Sequence, residues 1–105
     1  MSDFMQKQVV LKTMDLAQEI GYSVSYVFDG EEMLTVVPWE TLRTDIVDFA
    51  VGSDECQLTF SAGPGKTFVV FFEFDNHPSE MIYDHTDSLA ADVVCERVAT
   101  FFKGA

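Results

Sequence analysis

Positive charge is scarce in this chain: six Lys and Arg stand against 18 Asp and Glu, a formal net charge of −12. A surface so depleted of cations has few groups with which to displace counterions from a nucleic acid or to hold an anionic bilayer. Direct nucleic-acid binding and membrane association are therefore not expected, and a basic protein or a cationic ligand becomes the complementary partner class. Long hydrophobic runs are lacking too. The longest, Phe68 to Phe72, is of strand length, against the roughly 20 residues that span a bilayer. No basic region followed by an apolar stretch opens the chain, so no secretory leader is expected. Cysteine is limited to Cys56 and Cys95, both inside apolar segments and without Cys-x-x-Cys or Cys–His spacing. That pattern reads as two buried free thiols, with neither a disulfide nor a metal set. Together these absences lead us to expect a cytoplasmic protein.

What the chain has is apolar bulk. Hydrophobic residues make up 48% of the sequence and aromatics 13%, with ten phenylalanines. A chain of 105 residues buries roughly two-thirds of its unfolded surface, which suffices for one core without disulfides or metals. The expectation is a single domain over residues 1–105, with no repeat, linker or low-complexity segment.

Residues 3–20 carry Val10, Met14, Ala17 and Ile20 at helical spacing, with Asp3 at the end that favours negative charge and Gly21 as a stop. Residues 23–28 alternate, which predicts a strand with Val24, Tyr26 and Phe28 on one face. The turn Asp29-Gly30-Glu31-Glu32 and a returning strand from Met33 to Val37 complete a hairpin, and Pro38 ends it. Residues 38–51 mix two periods. Trp39, Leu42, Ile46 and Phe49 suit a helix that Pro38 opens, whereas Val47, Phe49 and Val51 alternate as a strand would. The helix is expected in the first part, and the second is open between the two.

Cys56 to Ser61 alternates again, Gly63-Pro64-Gly65 is a loop, and Thr67 to Phe74 is apolar on successive positions, as in a central strand covered on both faces. A short strand is expected at Met81 to Tyr83. Thr86, Asp87 and Ser88 are capping residues for a last helix to about Lys103, with Ala90, Val94, Val98 and Phe101 as its stripe and Val93 and Phe102 widening it. The fold class is α+β: an antiparallel sheet of about five strands packed by an N-terminal and a C-terminal helix, in the order α-β-β-(α)-β-β-(β)-α. In element order this resembles roadblock-like domains and the acidic chaperones of type III secretion, a resemblance that implies dimerisation and protein binding rather than chemistry.

Motifs of chemistry are thin. Gly63-Pro64-Gly65-Lys66-Thr67 ends like a phosphate-binding loop, but Phe60 occupies the place of the first glycine and a strand follows instead of a helix. No Gly-x-Ser-x-Gly occurs, and a thiolate at Cys56 or Cys95 has no positive field to form it. Both histidines fall in one carboxylate-rich stretch: Asp75, His77, Glu80, Asp84 and His85. His85 with Asp87 and Asp75 with His77 are the conceivable pairs. A strand between the two histidines tends to hold them apart, and no metal spacing is present, so a polar surface loop is the plainer account. Trp39, the single tryptophan, serves as a core aromatic in the commoner case and as a partner anchor in the other.

Three functions are expected, in this order. The first is a protein-interaction module, acting as a homodimer or as an adaptor or chaperone-like binder, with Trp39 as an anchor. The second is an acidic inhibitor or nucleic-acid mimic that occupies a basic protein surface. The third is a small enzyme or a binder of a cationic molecule, with Asp75, His77, Asp84 and His85 as its binding residues. The sequence calls for no cofactor and no metal, and an enzyme is the lesser expectation.

Overall fold

The computed structural model describes residues 3–104. Helix α1 spans Asp3–Glu19, strands β1 and β2 span Ser23–Phe28 and Met33–Thr35, and helix α2 spans Arg43–Ala50. Strands β3 and β4 follow at Glu55–Ser61 and Thr67–Glu73. After them come a 3-10 turn at Pro78–Glu80, strand β5 at Ile82–His85 and helix α3 at Leu89–Phe101. The five strands form one antiparallel sheet in the order β2-β1-β3-β4-β5. The α+β class and the element order are as the sequence predicts.

Period-two patterning decides which face of the sheet is covered. Cys56, Leu58 and Phe60 of β3 and Phe68, Val70 and Phe72 of β4 are buried, and the residues between them are not. The helices pack on that one face, where Val9, Val10, Leu16 and Ala17 of α1 meet Ala91, Val94 and Val98 of α3 in a single core. The strand β4, expected to be covered on both sides, is covered on one. Val69 and Phe71 remain half-exposed on the other face, and the central strand is β3.

Local chemistry explains the element ends. Gly21 adopts φ +88°, and the N–H of Tyr22 donates to the Ala17 carbonyl at 2.9 Å, closing α1. Ile20, expected inside, therefore lies past the helix and is exposed. Ser88 caps α3, its hydroxyl accepting from the N–H of Ala91 at 3.2 Å. At the far end of α3, Phe102 is buried and Phe101 exposed, so Phe102 completes the stripe in place of the expected Phe101.

Two further expectations are corrected. An irregularity between Val24 and Tyr26 shifts the phase of β1, so Val24 and Val27 face the helices while Tyr26 and Phe28 face outward. In residues 38–51 the helix is the second part. The first part is a turn in which Thr41 Oγ1 accepts from the Val37 N–H at 2.9 Å and the Val37 carbonyl accepts from the N–H groups of Glu40 and Thr41. Helix α2 then buries Ile46, Val47 and Ala50.

Both edges of the sheet are blunted. On β2, hydrogen bonding to β1 engages Glu32 and Val36, so the alternation turns Met33, Thr35 and Val37 outward, and the Thr41 turn consumes the groups of Val37. On β5, the outward N–H of His85 donates to its neighbour's carboxylate, Asp84 Oδ1, at 2.9 Å. These contacts occupy the outward groups of Val37 beside β2 and one N–H on β5.

Candidate functional site

The uncovered face of the sheet is ordered in four levels by the strand registers. At one end lie hydroxyls: Ser25 Oγ is 3.1 Å from Ser61 Oγ, which is 3.4 Å from Thr67 Oγ1. The middle level carries Thr35, Tyr26, Thr59 and Val69, and the next carries Met33, Phe28, Gln57, Phe71 and Asp84 across all five strands. At the other end Glu55 stands directly opposite Glu73, with Tyr83 beside them. The Tyr83 ring is tilted against Phe71 with centroids 6.2 Å apart, and its hydroxyl donates to Glu55 Oε1 at 3.5 Å.

Charge is sorted by layer. No strand residue is Lys or Arg, and the three strand carboxylates, Glu55, Glu73 and Asp84, all lie on the open face. The basic residues sit on the helices or next to them, apart from Lys66 in the β3–β4 turn. Four of them are engaged there: Lys7 with Asp48 at 3.2 Å, Arg97 with Glu19 at 3.4 Å, Arg43 with Asp15, and Lys12 over the Phe101 ring at 4.1 Å. Among the described ion pairs none includes Glu55, Glu73 or Asp84.

An open cleft of about 570 Å³ continues the acidic end of the face, lined by Phe28, Asp29, Glu31, Asp54, Glu55 and Tyr83 among others. Asp29 shapes its rim. Its Oδ1 accepts from the N–H groups of Glu32 at 2.7 Å and Glu31 at 2.9 Å, and these bonds hold its carboxyl below the usual range. Desolvation, and after it the charges of Glu55 and Glu73, hold the Tyr83 phenol above its ordinary value. The cleft is thus aromatic and anionic, a surface suited to an ammonium or guanidinium group.

The residues singled out in sequence are placed apart. Trp39 is 83% exposed on the turn before α2, so it is no core aromatic, and Leu42 beside it is exposed as well. Asp75 and His77 lie in the connection after β4, where His77 Nδ1 accepts from the Ser79 N–H at 3.2 Å and opens the 3-10 turn. Asp84 pairs in register with Phe71 and faces outward, whereas His85 pairs with Val70 and turns toward α3. There His85 Nδ1 lies 2.9 Å from the Thr86 carbonyl and 3.7 Å from Asp92 Oδ1, so Asp92 and not Asp87 is its acidic neighbour. No group of three or more His, Cys, Asp or Glu among the described residues is arranged to hold a metal.

Both cysteines are free and buried. Burial, with a smaller effect of Asp29, pushes the Cys56 thiol far above its ordinary value; burial, aided by Asp92, pushes Cys95 up to about 12. Neither forms a thiolate near neutral pH. The Gly63–Gly65 segment is a hairpin turn, closed by the Lys66 N–H donating to the Gly63 carbonyl at 3.0 Å.

The open face itself was not singled out in sequence, although part of it follows from counting. Outward from the Gly63–Gly65 turn, the pairing of Ser61 with Thr67 leads in step to Glu55 with Glu73. No family model, curated protein or solved structure matches the chain. No described helix is long and apolar enough to cross a membrane.

Proposed function

We propose that this chain is a small protein-interaction module that receives a protein partner on the open face of its sheet. One observation carries the reading: Tyr26, Phe28, Met33, Val69, Phe71 and Tyr83 share the face that no helix covers. Aromatic and Met side chains on an accessible, rigid surface are the groups that supply binding energy between proteins. The hydrogen-bonded sheet holds their backbone in place, so little backbone ordering entropy opposes docking. A second copy is the poorer occupant, because its face would offer Glu55, Glu73 and Asp84 no cation from its own strands.

The enzyme reading draws less support. Asp84 and His85 point to opposite sides of the sheet, and both thiols are held protonated.

A photoreactive residue placed at Tyr26 or Tyr83, and for comparison at Leu89 on α3, tests the proposal in cells. Cross-links to a different protein are expected from the two sheet positions and not from the helix position. Cross-links from Leu89 alone, none from the sheet positions, or a dimer in light scattering that Phe71→Asp dissolves would each overturn it.

A further inference from the structure

Resting on that reading, we infer that the occupant of the open face is a cationic protein segment. Its Arg or Lys heads lie at the Glu55–Glu73 end, and its apolar side chains lie over Phe28 and Phe71. The argument is charge complementarity. The helix layer balances much of its negative charge internally, through Lys7–Asp48, Arg43–Asp15 and Arg97–Glu19. The sheet layer has no such balance: its strands contribute three carboxylates and no cation.

Glu55 and Glu73 deepen the case. Like charges directly opposite across an antiparallel pair destabilise the sheet, so their placement works against the fold on its own. A guanidinium or ammonium set between them relieves that repulsion and gains from the neighbouring Phe28 and Tyr83 rings. The row from Met33 to Asp84 crosses five strands, a span of about 19 Å at the usual strand spacing. An extended segment of roughly six residues covers it. A small cation fills only the cleft at one end, and leaves Met33, Phe71 and Asp84 of the row bare.

The test is an NMR titration of the isotope-labelled protein with a synthetic peptide of alternating Arg and Leu. The same peptide with Glu in place of Arg is the control. Shifts confined to Phe28, Gln57, Phe71 and Tyr83 are expected with the Arg peptide, weakening as salt is raised. The double variant Glu55→Gln/Glu73→Gln is expected to bind roughly two- to tenfold more weakly, from the size of exposed charge pairs. Asp48→Asn on the helix layer is expected to leave binding unchanged. Shifts on the helices, equal binding of the Glu peptide, or undiminished affinity in the double variant would overturn the inference. If cross-links still form from Tyr26 and Tyr83 in that case, the interaction module stands and only the charge of its partner is wrong. If those are absent as well, both readings fall.

Discussion

Glu55 and Glu73 are cross-strand partners on the open face, two carboxylates in register on strands that carry no Lys or Arg. Asn76 Nδ2 donates to Glu73 Oε1 at 3.4 Å and Tyr83 donates to Glu55, but neither contact neutralises the pair.

Glu73→Gln keeps the acceptor for Asn76 and removes the repulsion. The variant is expected to be more stable than the parent by about 0.2–1 kcal/mol, the range for cross-strand pairs. For a domain near 100 residues a full kilocalorie corresponds to a rise in Tm of roughly 4–8 °C. Thermal denaturation followed by circular dichroism at low salt measures it, and the gap should narrow as salt screens the pair. An unchanged or lowered Tm would mean that the two charges do not meet.

The core makes a contrasting prediction. Phe60 and Phe68 are fully buried and stacked with centroids 5.1 Å apart. Phe60→Ala is expected to lose about 3–5 kcal/mol, whereas Trp39→Ala, at an exposed turn, stays within about 0.5 kcal/mol. Urea denaturation of both variants decides the matter. Equal losses would place Trp39 in the core after all.

Alkaline stability follows from the thiols. Cys95 has an ordinary value of 9.0 and is held up to about 12 in the fold. Above the ordinary value the unfolded chain releases this proton and the folded chain keeps it, so stability is full below about 9 and falls as pH rises toward about 12. Cys56 acts in the same direction. Cys95→Ala should make the alkaline decline shallower, and a thiol reagent at neutral pH should modify the native protein far more slowly than the denatured one. Rapid modification of the native form would contradict the burial of both cysteines.

The fold was legible where one local signal acted alone. The β3–β4 hairpin has clean alternation about a glycine turn, and Ser88 with the apolar stripe beyond it announces α3. Trouble came where a short-range hydrogen bond overrode a spacing pattern. Trp39 and Leu42 match the helical period of Ile46 and Phe49, yet the hydroxyl of Thr41 ties the chain to Val37 and delays the helix to Arg43. One irregularity at Ser25 sends Tyr26 and Phe28 to the opposite face from Val24, and no residue type in the strand betrays it. The candidate surface was hidden for a related reason. Val69 and Phe71 are as hydrophobic as Val70 and Phe72, so composition does not reveal that one face of β4 lacks a helix. The histidine-rich stretch attracted attention because its residues adjoin in sequence, while β-geometry turns Asp84 and His85 to opposite sides.

The Asp84 carboxylate on the His85 N–H and the Thr41 turn on Val37 bear on a different problem, that of life at high concentration. A five-stranded sheet with an exposed aromatic face is the kind of object that templates its own copies into fibrils once a margin lies bare. Here each margin is blocked at one residue by a side chain a residue or a few away from the group it occupies. Such blocks oppose growth along the hydrogen-bonding direction at the positions they occupy, while the aromatic face itself stays uncovered.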